Sequence, residues 1–322
     1  MTAGSPIRDA TRPVGDWLGE WRETFLLASD RAIATKDLYA GLTRRHVDPV
    51  IGQLPLGQVR PSDITRVLLR MEHRGLAAST RRNAYAALRS VFDDAVADGL
   101  LATNPVLRVK RPKASSEEAR SLGLDEAKTF LAAAVDLRYA PTLRLILGTG
   151  LRRGEALAIR WSDVDLGRSE LTVKGSLVRR KGRLVVSATK SLRSRRTVSL
   201  SPAMVRLLTS HRALQNAERL LAANLWEDSG FVFTTEFGRP ADPRNLLRAT
   251  TIAARKGGMA PVGVHTLRHT YATTALLNGA PLHVVSRNLG HSSIAITADI
   301  YGHLTDEAAQ SAAKIVSDAL GL

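Results

Sequence analysis

His265-Thr266-Leu267-Arg268-His269, Leu289-Gly290-His291-Ser292-Ser293 and Tyr301-Gly302-His303 are the three clusters on which the reading of this chain turns. The first opens a stretch that reads as helical through Ala275. On such a helix His265 and Arg268 sit three apart and share a face. His269 is turned about 100° away from Arg268 by helix geometry. The spacing therefore predicts a cationic, histidine-bearing helix, with a second histidine and a tyrosine following at intervals.

Upstream lie two more clusters. Thr149-Gly150-Leu151-Arg152-Arg153-Gly154-Glu155 has two glycines that permit tight backbone, and it places Arg152 and Glu155 three apart. By itself that pair fits a structural ion pair as well as a site. Thr189-Lys190-Ser191-Leu192-Arg193-Ser194-Arg195-Arg196 reads as a polar turn between strands, where a lysine is ordinarily just solvated. A metal reading also has to be met, because His265 and His269 at i, i+4 resemble the paired ligands of a zinc-protease helix. That motif needs a Glu directly after the first His, and this chain has Thr266 there. The chain has no cysteine, and no third-ligand spacing is apparent, so no catalytic metal is expected.

The rest of the chain sets the context. Its 322 residues exceed one ordinary domain, and 44% hydrophobic content can build normal cores. The 46 Lys and Arg against 30 Asp and Glu give a net charge of +16, which favours a polyanionic partner. Arginine outnumbers lysine, which suits bidentate phosphate recognition but equally reflects GC-rich codons. No leader-like apolar segment opens the chain and no run is long enough to span a membrane, so a soluble, cytoplasmic protein with no membrane partner is expected. Residues 1–14 read as a flexible tail. Four amphipathic helices follow within 15–109: one capped by Asp16 with Trp17, Trp21 and Phe25 inward, and one from Thr35 to Val47. The third carries Ile64, Val67, Leu68 and Met71, and the last carries Tyr85, Leu88, Phe92 and Val96. Arg81, Arg82 and Arg89 lie off the last stripe, either as a solvated face or as phosphate contacts. A polar, Pro-containing linker covers 110–121. The remainder, 122–322, mixes helices with three short antiparallel strands between Leu171 and Leu200 and a short Phe231-Val232-Phe233 segment. The fold class expected is mainly α with a small antiparallel β-sheet (α+β).

Taken in order, the clusters resemble the tyrosine recombinase (phage integrase) family. Its pattern is an Arg in T-G-L-R, a Lys in a β-hairpin turn, a H-x-L-R-H helix, L-G-H, and a Tyr about ten residues later. Here these fall on Arg152, Lys190, His265 with Arg268, His291 and Tyr301. The resemblance covers about 15–322, since 15–109 is similar to the family's helical core-DNA-binding domain and 122–322 to its catalytic domain.

The resemblance implies a site-specific DNA recombinase or integrase of a mobile element or dimer-resolving system. It would cleave and rejoin double-stranded DNA through a 3′-phosphotyrosyl intermediate, with no cofactor, metal or ATP. Tyr301 is then the nucleophile, and Arg152 and Arg268 stabilise charge on the phosphate. His265 is the candidate for the tyrosine's proton, and His291 a hydrogen-bond donor to the phosphate. Lys190 is the acid for the leaving 5′ oxygen, and Glu155 orients the site. Past Tyr301, Thr305 to Leu320 reads as a helix with Ala309, Ala312, Val316 and Leu320 on one stripe. In the family that tail docks on a neighbouring protomer, so self-association to a tetramer on DNA is expected. Accessory DNA-bending or directionality factors are compatible with the pattern. The rival readings are a type IB topoisomerase and a helical DNA-binding regulator that never cleaves.

Overall fold

The computed structural model describes residues 11–113, 120–180, 182–188 and 195–301. Lys190 and its turn, Lys181, and the expected helix over Thr305–Leu320 lie outside the described residues, as do residues 1–10 and 114–119. The chain falls into two compact units, Met1–Glu117 and Glu118–Leu322. No described helix is long and apolar enough to cross a membrane.

The first unit is all-α: α1 (Val14–Glu23), α2 (Phe25–Ala28), α3 (Ile33–Leu42), α4 (Asp48–Ile51), α5 (Pro61–His73) and α6 (Ala78–Ala97). Periodic apolar positions put Trp17, Trp21, Ile64, Val67, Met71, Leu88 and Phe92 into one core. The indole N–H groups of Trp17 and Trp21 are satisfied by the Val91 carbonyl at 3.1 Å and the Asp94 carboxylate at 2.6 Å, which pins α1 across α6.

Several expected boundaries move. The first helix begins at Val14, two residues before Asp16, and Phe25 belongs to a separate short turn. Residues 12–14 are not loose: Leu56 N–H donates to the Arg12 carbonyl and Val14 N–H to the Leu54 carbonyl. The second helix starts at Ile33, passes into a π turn over Thr43–Val47, and continues through Pro49, whose missing N–H is harmless in the first turn of α4. Val96 is half-buried while Ala95 takes the core position.

The second unit contains α7 (Leu124–Ala133), α8 (Ala140–Thr149) and α9 (Arg153–Ala158), then the strands, then α10 (Pro202–Ala222), α11 (Pro243–Lys256), α12 (Val264–Leu277), α13 (Leu282–Leu289) and α14 (Ile294–Tyr301). Among the described residues there are five strands, four of them in the stretch where three were expected and one, β1, before it. β1 (Val164–Asp165), β2 (Glu170–Val173) and β5 (Arg196–Ser199) form an antiparallel sheet in the order β1-β2-β5, while β3 (Gly175–Arg180) and β4 (Arg183–Ala188) form a separate hairpin. The hairpin pairs Arg180 with Arg183 at its tip, and β2 pairs Val173 with Arg196. Phe231-Val232-Phe233 makes no strand: Phe231 bridges to Arg160, and all three side chains are buried. At the C-terminal end of the expected linker, Arg120 donates to the Pro261 carbonyl and so already belongs to the second unit, and just beyond the linker Leu122 N–H donates to the Thr270 hydroxyl. A small separate core of Ala272, Val285, Leu289 and Tyr301 joins α12, α13 and α14.

Candidate active site

The site is built around one buried carboxylate. Glu155 lies in the first turn of α9 and reaches back to its N-terminus. Its Oε2 accepts the Arg152 backbone N–H at 2.9 Å, and its Oε1 accepts the Arg152 guanidinium at 2.8 Å. Arg196, opening β5, donates to both oxygens at 3.2 and 2.8 Å. Both Glu155 and Arg196 are buried. Burial would push this carboxyl up, but the hydrogen bonds and charge of Arg196, with those of Arg152, hold it at about 2.

Two glycines then bring backbone carbonyls to the cations. Gly150 and Gly290 close α8 and α13 with φ of 68° and 66°, a left-handed conformation that suits glycine. Arg268 of α12 donates to the Gly150 carbonyl and to the Leu289 carbonyl, both at 2.8 Å. Arg152 donates to the next carbonyl, Gly290, at 3.0 Å. Arg196 Nε donates to the Asn288 carbonyl at 2.7 Å. Three guanidiniums thus converge on the C-terminal turn of α13, where the helix dipole favours positive charge. Burial, then Arg152 and Arg196, bring Arg268 down to about 9, against the opposing pull of Glu155. It stays charged at neutral pH. Among the described residues Glu155 is the only carboxylate ion-paired with these three arginines, so the cluster is poised for an added anion.

His291 follows directly on Gly290. Its Nδ1 lies 2.8 Å from the hydroxyl of Thr297, which is fully buried. Burial, then Arg268 and Arg152, depress the imidazole to about 4, so it is neutral at physiological pH. In the tautomer in which Nδ1 accepts from Thr297, the ring hydrogen sits on Nε2 and is available to donate. Tyr301 ends α14 and is 3% exposed. Its phenol oxygen is hydrogen-bonded to Nδ1 of His269 at 2.5 Å. Burial pushes the phenol up to about 12, with Arg268 opposing.

This convergence matches a known pattern. Residues 120–308 match the phage integrase family and residues 20–112 the phage integrase central domain. A XerC-like tyrosine recombinase of Caldanaerobacter subterraneus subsp. tengcongensis is 30% identical over 95% of this chain and 83% of its own length. The chain belongs to the phage integrase family of tyrosine recombinases. An integrase of Mycobacterium phage L5 is 29% identical over 86% of this recombinase and 72% of its own length. In fold, the Tn1549 transposon integrase bound to transposon right-end DNA aligns with a TM-score of 0.79 at 19% identity, over 95% of this chain and 99% of that one. The lambda integrase tetramer bound to a Holliday junction aligns at 0.69 and 19%, over 89% and 79%. The recombinase is accordingly a DNA breaking-rejoining enzyme of site-specific recombination.

Within this recombinase Arg152, Glu155, Arg268, His291 and Tyr301 are brought together, and Lys190 lies outside the described residues. His265 differs from its expected position. It is exposed on α12, depressed by partial desolvation and by Arg268, Arg153 and Arg152, and it makes no hydrogen bond to Tyr301. The phenol meets His269 instead, because α14 returns on the side of α12 that lies a residue further round. In the first unit Arg81 pairs with Glu72 and Arg89 with Asp93 at 3.6 Å, so two of the three arginines of that stripe already have partners. Sequence reasoning missed two members. Arg196 was hidden at the end of the polar turn, and His269 entered only as half of a rejected metal pair.

Proposed function

We propose that Tyr301 attacks a phosphodiester held by Arg152 and Arg268, leaving a 3′-phosphotyrosyl bond to one strand and a free 5′ hydroxyl on the other side of the break. Rejoining is the reverse attack by a 5′ hydroxyl from a partner strand. One phosphodiester replaces another, so the bond energy is conserved without ATP. The observation that carries this reading is the placing of both guanidiniums on the successive carbonyls of Leu289 and Gly290, next to His291 and within the field of a buried tyrosine. Phosphoryl transfer asks the protein mainly for positioning and for cations on the non-bridging oxygens, and this cluster supplies both. His291 donates from Nε2 to a non-bridging oxygen. Lys190 protonates the leaving 5′ oxygen, a role supported by its place in the family pattern. His265, three residues before Arg268 on α12, is an exposed hydrogen-bonding group at the rim of the cluster.

The partner is double-stranded DNA, and the working assembly is a tetramer around two duplexes in the bacterial cytoplasm or nucleoid. Support comes from relatives bound to transposon-end DNA and, for lambda integrase, from a tetramer on a Holliday junction. Helix α12, with its charge-stabilising arginine, distinguishes this from a regulator that only binds. The test uses a nicked suicide duplex built on the site that the protein occupies in cells, found by sequencing the bound DNA. Wild-type protein is expected to give a denaturant-resistant DNA adduct even in excess EDTA. Tyr301→Phe should bind the same duplex and give none. Adduct formation that survives Tyr301→Phe, or an absolute need for a divalent ion, would overturn the reading.

A further inference from the structure

His269 has a part that the family pattern of Arg, Lys, His, Arg, His and Tyr leaves unassigned. Resting on the reading of Tyr301 as nucleophile, we propose that His269 is the base that takes the phenol's proton during cleavage and returns it during rejoining. The geometry is direct: the phenol oxygen lies 2.5 Å from His269 Nδ1, with ring centroids 5.9 Å apart and the rings tilted by 51°. A candidate base must be within hydrogen-bond reach of the proton it removes, and among the described residues no other side chain hydrogen-bonds this phenol.

The alternatives are spoken for. Among the described residues, Glu155 is saturated by Arg152 and Arg196, His291 Nδ1 is engaged by Thr297, and no hydrogen bond joins His265 to the phenol. His269 is also in the right state. Its own desolvation, then His265 and Arg268, keep its pKa below the ordinary histidine value, so the ring is neutral, and in the tautomer with its hydrogen on Nε2 the Nδ1 lone pair faces the phenol. The phenol, held well above its ordinary value by burial, does not ionise by itself. The pair therefore rests as a neutral hydrogen bond.

A phosphodiester arriving at Arg268 offsets one of the charges that weaken His269, so the base gains strength when substrate is present. In the step, the Tyr301 O–H bond breaks and its proton passes to Nδ1. The phenol oxygen bonds to phosphorus, the bond from phosphorus to the 5′ oxygen breaks, and that oxygen takes a proton from Lys190. Rejoining runs each transfer backwards, and His269 returns the proton to the departing phenol.

The experiment compares His269→Ala, His269→Gln and His265→Ala on the nicked suicide duplex, with binding to the intact duplex measured in parallel. Glutamine keeps an uncharged side chain with a hydrogen-bond acceptor at this position, but it cannot take the proton. Both His269 variants should bind DNA within about threefold of wild type and form the covalent adduct about 100-fold more slowly or worse. Added imidazole should restore part of the rate to His269→Ala and none to Tyr301→Phe. Near-normal cleavage by His269→Gln would overturn the proposal and leave His269 as a positioning residue. So would a large loss confined to His265→Ala. If His269→Ala fails to bind DNA, His269→Gln alone decides. Should Tyr301→Phe still form adduct, the underlying reading fails. Should only the His269 variants cleave normally, this inference fails alone.

Discussion

Arg196 illustrates how much a single side chain can hold here. Its guanidinium joins Glu155 to the end of α13, and with it the position of Arg152 on the Gly290 carbonyl. Removing one member of a buried ion pair leaves an uncompensated charge, so Arg196→Ala should cost about 3–5 kcal/mol of stability in denaturant unfolding. Cleavage should fall as well, because Glu155 would be released. Arg196→Ala with unchanged stability would contradict that role. Gly290→Ala should be similarly damaging, since a Cβ there would stand 2.6 Å from the Arg196 guanidinium and would need positive φ. The sequence shows Arg152 and Glu155 as partners because three residues along a helix is a readable spacing. Arg196 joins them from a strand, and no local periodicity carries such a long-range contact. His269 is illegible for a related reason: its azimuth on α12 is plain, but the position to which α14 returns is not.

At the scale of elements, the helices of the first unit were legible from apolar stripes, because each buries one face in a shared core. The strands were less so. Two-residue β1 is too short to show alternation, and β3–β4 breaks away from the sheet as its own hairpin. The turn joining α13 to α14 has its own pH signature through His291. Its pKa is lowered on folding, so between its ordinary value and about 4 the unfolded chain binds more protons than the folded one. Stability therefore falls as pH drops through that window. Glu155, held at about 2, adds stability that is present above the ordinary carboxylate range and is lost as pH falls towards 2. Denaturant midpoints should thus decline from pH 7 to pH 5, and His291→Gln should flatten the decline. An unchanged slope in that variant would show that His291 is not the group responsible.

The whole molecule carries +16, and the first unit shows where some of that charge lacks a counter-ion. Arg45, Arg70 and Arg74 gather around His46 beside the π turn, with no carboxylate partner among the described residues. Desolvation, then the charges of Arg74 and Arg45, lower the His46 pKa. Binding to duplex DNA should weaken steeply with salt, and replacing Arg70 and Arg74 by Gln should reduce the slope by about one for each phosphate left without its cation. Replacing Arg81, which Glu72 already engages, should change it less; the reverse order would place the DNA on the α6 face. All these expectations presuppose a covalent bond between protein and DNA at one tyrosine. The most direct measurement is therefore to digest the trapped adduct with protease and nuclease and to locate the nucleotide-bearing residue by mass spectrometry. A phosphotyrosyl linkage at Tyr301 is expected, and a linkage at Tyr271, or at any other residue, would contradict the role of Tyr301 as nucleophile.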